Sequence, residues 1–173
     1  MQNNQYLNLQ NVIIGGLKST QRILDKADSF IKEEKITEND LLNASIAPDM
    51  YNFTKQIQVV SDSAKSAMAK LAGVVAPSMP DTETTMAELH SRIEKTLEYV
   101  KTFNEESFKD ADNVQIKFAW MPTKYIKSED FVNDFAIQNY MFHITIAYAI
   151  LRMKGVNIGK MDFIGNVDMH DVK

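Results

Sequence analysis

His143 sits in the stretch NYMFHITIAYAILRM, residues 139–153, where Arg152 is the only fully charged side chain. An imidazole in such a segment can ligate a metal, move a proton, or sit satisfied inside a core or pocket. Its spacing separates these roles. On a helix, the positions four before and four after share its face; here they are Asn139 and Ala147, neither a strong ligand for zinc or iron. The chain has two other histidines, His90 and His170, and no cysteine. A mononuclear catalytic metal commonly takes three protein ligands. Di-iron bundles use Glu-x-x-His on two helices, but the residue three before His143 is Tyr140. The expectation is therefore no metal and a buried or pocket imidazole, which needs only one or two hydrogen bonds.

Candidate partners are Asn139, Tyr140, Tyr148 and Asp62. Tyr51, Phe53, Phe131, Phe135, Tyr140, Phe142 and Tyr148 are either core or the wall of an aromatic pocket. The expected pocket is Tyr51, Asp62, Asn139, Tyr140, His143 and Tyr148, with His143 as the candidate acid or base and no metal-binding residue.

Two glycine-lysine stretches invite a phosphate-loop reading. GGLKST lies inside a helical pattern with no strand before it. GVNIGKMD follows a helix, has one residue too few between its glycines, and lacks Ser or Thr after Lys160. A phosphate loop needs strand–loop–helix context to aim its amides, so neither qualifies. Gly155 and Gly159 read instead as a helix stop and a turn.

Four helical patterns would position these side chains. The first runs from about Tyr6 to Glu34, with Gly15 and Gly16 inside it at roughly 1 kcal/mol each relative to alanine, which suggests close helix packing. The connector from Lys35 to Asp49 holds TENDLL, one capped turn starting at Thr37. A second helix should begin near Pro48 and end at Gly73. After VVAPSMP, Asp81 or Thr82 should cap a third helix reaching Phe103. In the stretch from Asn104 to Lys127, VQIKFAW alternates like a strand and TKYI is a candidate partner, giving a small β-hairpin. Ser128 should cap a fourth helix ending at Gly155. The fold class is all-α, a four-helix bundle with a hairpin between helices 3 and 4.

The 173 residues carry a net charge of −4 and no basic run, which excludes a nucleic-acid surface. No apolar run is long enough to cross a membrane, and MQNNQYLNLQ has no basic region before an apolar core. A single domain over residues 1–173, in the cytoplasm, is expected.

PDMYNFTKQIQVVSDSAKSAMAKLAGV, followed by FHITIAYAILRMKGVNIGKMDFIG, resembles domain-of-unknown-function family number nineteen ninety-three, of the DinB/YfiT-like metalloenzyme superfamily. The resemblance covers nearly the whole chain. It implies a DinB-like bundle running up-down-down-up, which needs a connector that crosses the bundle. The nine residues from Gly73 to Asp81 can reach roughly 30 Å, the length of a 20-residue helix. The resemblance also implies homodimers, and Phe131, Ile137, Met141, Ile144, Ile146 and Ile150 cannot all face one core. Metal-binding members use one histidine on the second helix and a His-x-x-x-His pair on the fourth. His143 matches the first of that pair and Ala147 replaces the second. The second helix offers Ser61, Asp62 and Ser63 but no histidine.

Three functional readings follow. The first is a metal-free protein with a small-molecule pocket at His143. The second is a divalent-metal enzyme, of thiol-transferase or hydrolase type, with a degenerate zinc or nickel site. The third is a purely structural dimer. After Gly155, residues 156–173 form a C-terminal arm expected to fold back through Phe163 and Ile164, anchored by Lys160 or Asp162.

Overall fold

A computed structural model describes residues 4–33 and 35–172. Helix α1 spans Asn4–Lys32 and buries Leu9, Ile13, Leu17, Ile23, Leu24 and Ala27 along one stripe. The expected helix end, Glu34, lies outside the described residues. Gly15 faces open space, whereas a Cβ on Gly16 would lie 2.5 Å from Tyr140 Cε1 and 2.7 Å from Ile144 Cδ1. Gly16 is thus the point of closest approach between two helices.

Thr37 caps the short helix α2, Glu38–Leu42, by accepting from the Asp40 amide. Helix α3, Phe53–Leu71, starts later than expected. Its cap is Asn52, whose side chain accepts from the Lys55 amide at 2.9 Å; Pro48 lies in the turn before it. Gly73, at φ +67°, lies just past its end as expected. Helix α4, Met86–Lys101, also starts later than its expected cap. Thr85 and Glu88 form a reciprocal capping box there, which satisfies two amides at once. Asp81 is instead drawn to Lys55 and Arg92.

Two 3₁₀ turns, Glu105–Phe108 and Ala111–Asn113, lead to a hairpin of β1, Gln115–Phe118, and β2, Met121–Lys127. The strands are antiparallel, with Ile116 opposite Ile126 and Phe118 opposite Met121. The turn is therefore Ala119-Trp120, and the MP dipeptide opens the second strand. Ser128 does not cap the helix that follows. Its hydroxyl donates to the Ala111 and Val114 carbonyls, tying helix to loop.

That helical run begins as α5, Ser128–Asp130, passes through π-helical turns at Phe131–Ala136, and continues as α6, Ile137–Met153. Gly155, at φ +89°, follows its end. Helix α7, Lys160–Ile164, lies against α1. The arm does fold back, but backbone carbonyls anchor it: Arg22 donates to those of Asp162 and Phe163 at 3.0 and 3.1 Å. The Asp162 side chain accepts from the Gly159 amide at its own helix start.

The fold is mostly helical with one two-stranded sheet. Helices α1 and α3 each pack against both α4 and α6. The seam between α3 and α6 carries the polar groups considered next.

Candidate functional site

Along α6, buried positions such as Tyr140, Ile144, Ala147 and Leu151 face the core. His143 falls beside this stripe, half-buried on the seam with α3. Gln56, buried on α3, faces it: His143 Nδ1 and Gln56 Oε1 are 2.7 Å apart. The amide nitrogen of Gln56 donates to the Tyr51 carbonyl at 3.3 Å. That bond turns the amide oxygen toward the imidazole, so Nδ1 must be the donor. The proton is then on Nδ1, and Nε2 keeps its lone pair with no hydrogen-bond partner among the described residues. Burial holds the imidazole below the ordinary histidine pKa, so it is neutral at pH 7.

Tyr51 lies nearly parallel to the His143 ring at 6.5 Å, and Phe142 meets it edge-on at 5.3 Å. Both aromatics are more than half exposed. Of the expected pocket residues, then, Tyr51 joins His143. The other four have partners elsewhere. Asn139, one turn earlier, donates to Ser63 Oγ at 2.9 Å. Tyr140 is in the core and donates to the Ile13 carbonyl at 2.8 Å; its burial lifts the phenol pKa well above the ordinary value. Tyr148 packs edge-on against Phe163 of the arm. Asp62 pairs with Arg92 and Lys65, both at 2.9 Å.

Two groups have little signature in the sequence. Gln56 is a polar residue on the buried face of α3, and only its setting across from His143 marks it. Arg92 sits almost wholly buried on α4 and binds Asp62, Asp81 and Glu83. It looks like one more solvated charge in SRIEK, and its acids arrive from α3 and the connector. Burial acts to raise the pKa of Asp81 and of Glu83. Hydrogen bonds from Lys55 to Asp81 and from Arg92 to Glu83, with the charge of Arg92 nearby, outweigh it and hold both below the ordinary range.

The model of the domain of unknown function DUF1993 matches residues 6–164. The chain belongs to that family. The DUF1993 chain is also similar to a crystal structure of a DinB family member protein from Shewanella denitrificans. The two are 36% identical over 98% of this chain and 99% of that one, with a TM-score of 0.91. No curated protein matches the chain.

The divalent metal implied by the superfamily resemblance does not fit this DUF1993 chain at His143. The facing group on α3 is an amide, and Ala147, one turn on, is fully buried without a donor. Among the described residues, no group of three His, Cys, Asp or Glu could hold a metal ion. His90 pairs with Asp28 at 2.9 Å on the seam between α1 and α4, and His170 is exposed in the arm. No helix among the described residues is long and apolar enough to cross a membrane.

Proposed function

We propose that this chain is a metal-free, cytoplasmic DinB-like four-helix bundle that binds a small molecule at His143. The single observation that carries this reading is the 2.7 Å contact between Gln56 Oε1 and His143 Nδ1. It fixes the tautomer and leaves Nε2 as the open acceptor, beside the two exposed aromatic faces of Tyr51 and Phe142. A neutral imidazole held in this way can accept a hydrogen bond or a proton from a bound ligand.

In this proposal the bundle runs up-down-down-up. The pair contacts support that order. Asn139 meets Ser63 while His143, further along α6, meets Gln56, earlier on α3. Gln10 reaches Val100 and Phe103 at the end of α4, while Asp28 meets His90 near its start. Lys65 donates to Pro77, Gln58 to Glu83 and Lys55 to Asp81, so the connector returns along α3.

Titration calorimetry of metal-stripped protein tests the metal-free claim. Zinc and nickel should give no one-to-one site of micromolar affinity. Such a site, abolished by His143→Ala, would overturn the reading in favour of the metalloenzyme.

The homodimer belongs to the same proposal. Phe131, Ile137, Met141, Ile144, Ile146 and Ile150 supply no second face, since all of them lie in or against one core; Met153, half exposed at the end of α6, is what a second copy would cover. Light scattering should give the dimer mass at micromolar concentration; the monomer mass would contradict it.

A further inference from the structure

A cleft of about 230 Å³ opens between α3, the hairpin and the π-helical turns. Phe118, Phe131 and Phe135 line it together with Ser63, Asn139 and Lys70. The phenyl rings are 5.0 to 6.2 Å apart and mutually inclined by 24° to 57°. Phe131 is almost wholly buried, and the partly exposed Phe118 and Phe135 are left to meet a further ring. A cavity of about 150 Å³ holds benzene, so this one has room for a ring and a short polar arm. The π-helical turns carry two of the three phenylalanines, and such turns recur at functional sites.

The polar lining is only partly satisfied. Ser63 Oγ accepts from Asn139 Nδ2, which leaves the hydroxyl proton and Asn139 Oδ1 without partners among the described residues. Lys70 Nζ donates to the Lys117 carbonyl at 3.2 Å and stands 5.4 Å from the centre of the Phe118 ring. It has no carboxylate partner among the described residues. Asp62 borders the cleft too, but one of its oxygens already takes Arg92 and Lys65. Lys70 is therefore the one charged group of the lining without an ion-pair partner among the described residues, and it stands beside the aromatic rings.

The geometry points to a binding site for a small aromatic carboxylate, its ring against Phe118 and Phe135 and its carboxylate on Lys70. Ser63 and Asn139 are left for a hydroxyl or carbonyl on the same ligand. His143 does not line the cleft, so the inference stands apart from the role proposed for the imidazole.

Phenylacetate and benzylamine, with one ring and opposite charges, are the probes. Trp120 is the only tryptophan and lies 5.2 Å from Phe118, so its fluorescence reports occupancy. Phenylacetate should bind saturably, one to one, and at least tenfold more tightly than benzylamine. Lys70→Met should weaken it at least tenfold, and Lys70→Gln should do the same if the first variant folds poorly. Ser66→Phe, at the cleft lining, should abolish binding, while His143→Ala should leave it unchanged. Absence of saturable binding, equal affinity for benzylamine, full affinity in a folded Lys70 variant, or loss in His143→Ala would each overturn the assignment.

Discussion

Gln56 and His143 meet across the seam between α3 and α6 with 2.7 Å between Oε1 and Nδ1, and the amide is itself held by the Tyr51 carbonyl. The imidazole is thus oriented by a neutral acceptor in a partly desolvated place. A carboxylate at the same position would favour the charged ring. Gln56→Glu should raise the His143 pKa, read by nuclear magnetic resonance titration of the ring protons. An unchanged or lowered value would mean that residue 56 does not face the ring.

The same desolvation sets a pH dependence. His143 is held below its ordinary pKa in the folded chain. Above about pH 6.5 both folded and unfolded states carry it neutral, so it costs nothing. As pH falls below that, the unfolded chain takes up the proton first, and stability declines until the folded pKa is passed. His143→Gln removes this decline. Urea melts of the two proteins should run parallel at alkaline pH and diverge as the pH falls below about 6.5, with the wild type losing more. Parallel losses throughout would place the imidazole in ordinary solvent.

The two adjacent glycines of α1 should respond with opposite signs. Gly15→Ala meets nothing within 4 Å and gains helix propensity, about 0.5–1 kcal/mol of added stability. Gly16→Ala drives a methyl into Tyr140 and Ile144, at a cost of about 1–3 kcal/mol. Each kcal/mol moves the melting temperature by about 2–4 °C at this chain length. Equal effects at both positions would contradict the close approach.

Arg92 should be the most sensitive charge. Arg92→Met leaves Asp62, Asp81 and Glu83 without their shared cation, at a cost of about 3 kcal/mol, the low end for a broken buried pair because Asp62 keeps solvent contact. Asp81 and Glu83 have lowered pKa values in the fold. Their contribution is present above the ordinary carboxyl range and lost as pH falls through the folded values. The stability gap between wild type and Arg92→Met should therefore narrow below about pH 4. A gap that widens in acid would reverse this reading.

The arm is held through backbone carbonyls, so side-chain changes at Lys160 should matter little. Arg22→Ala should cost about 1–2 kcal/mol, and deletion from Lys160 onward should lower the melting temperature at least as much. An unchanged melting temperature in the deletion would show that the arm adds nothing to the fold.

The four long helices, the hairpin and the C-terminal glycine stops were legible in the sequence, because each rests on local pattern: apolar spacing, strand alternation, a glycine where φ turns positive. Helix starts were less legible. By type, Pro48 fits a first turn, and Asp81 and Ser128 fit a cap. Yet Asn52 and Thr85 make the caps of α3 and α4, and the Ser128 hydroxyl bonds two loop carbonyls far off in sequence. The π-helical turns left no pattern to read. At the site, His143 stood out as a lone imidazole among apolar residues. Its partner did not, because Gln56 lies 87 positions away and its amide could as well have faced water. Tyr140 and Tyr148 were neighbours by helix spacing alone, and packing sends one to α1 and the other to the arm.

The most direct test of the seam is nitrogen-15 correlation spectroscopy of the His143 imidazole at about pH 7.5, where the ring is neutral. The Gln56 contact predicts a proton on Nδ1 and a bare Nε2, with both signals unmoved by stoichiometric zinc. A proton on Nε2 with Nδ1 bare, or a zinc-dependent shift that saturates at one equivalent, would contradict it.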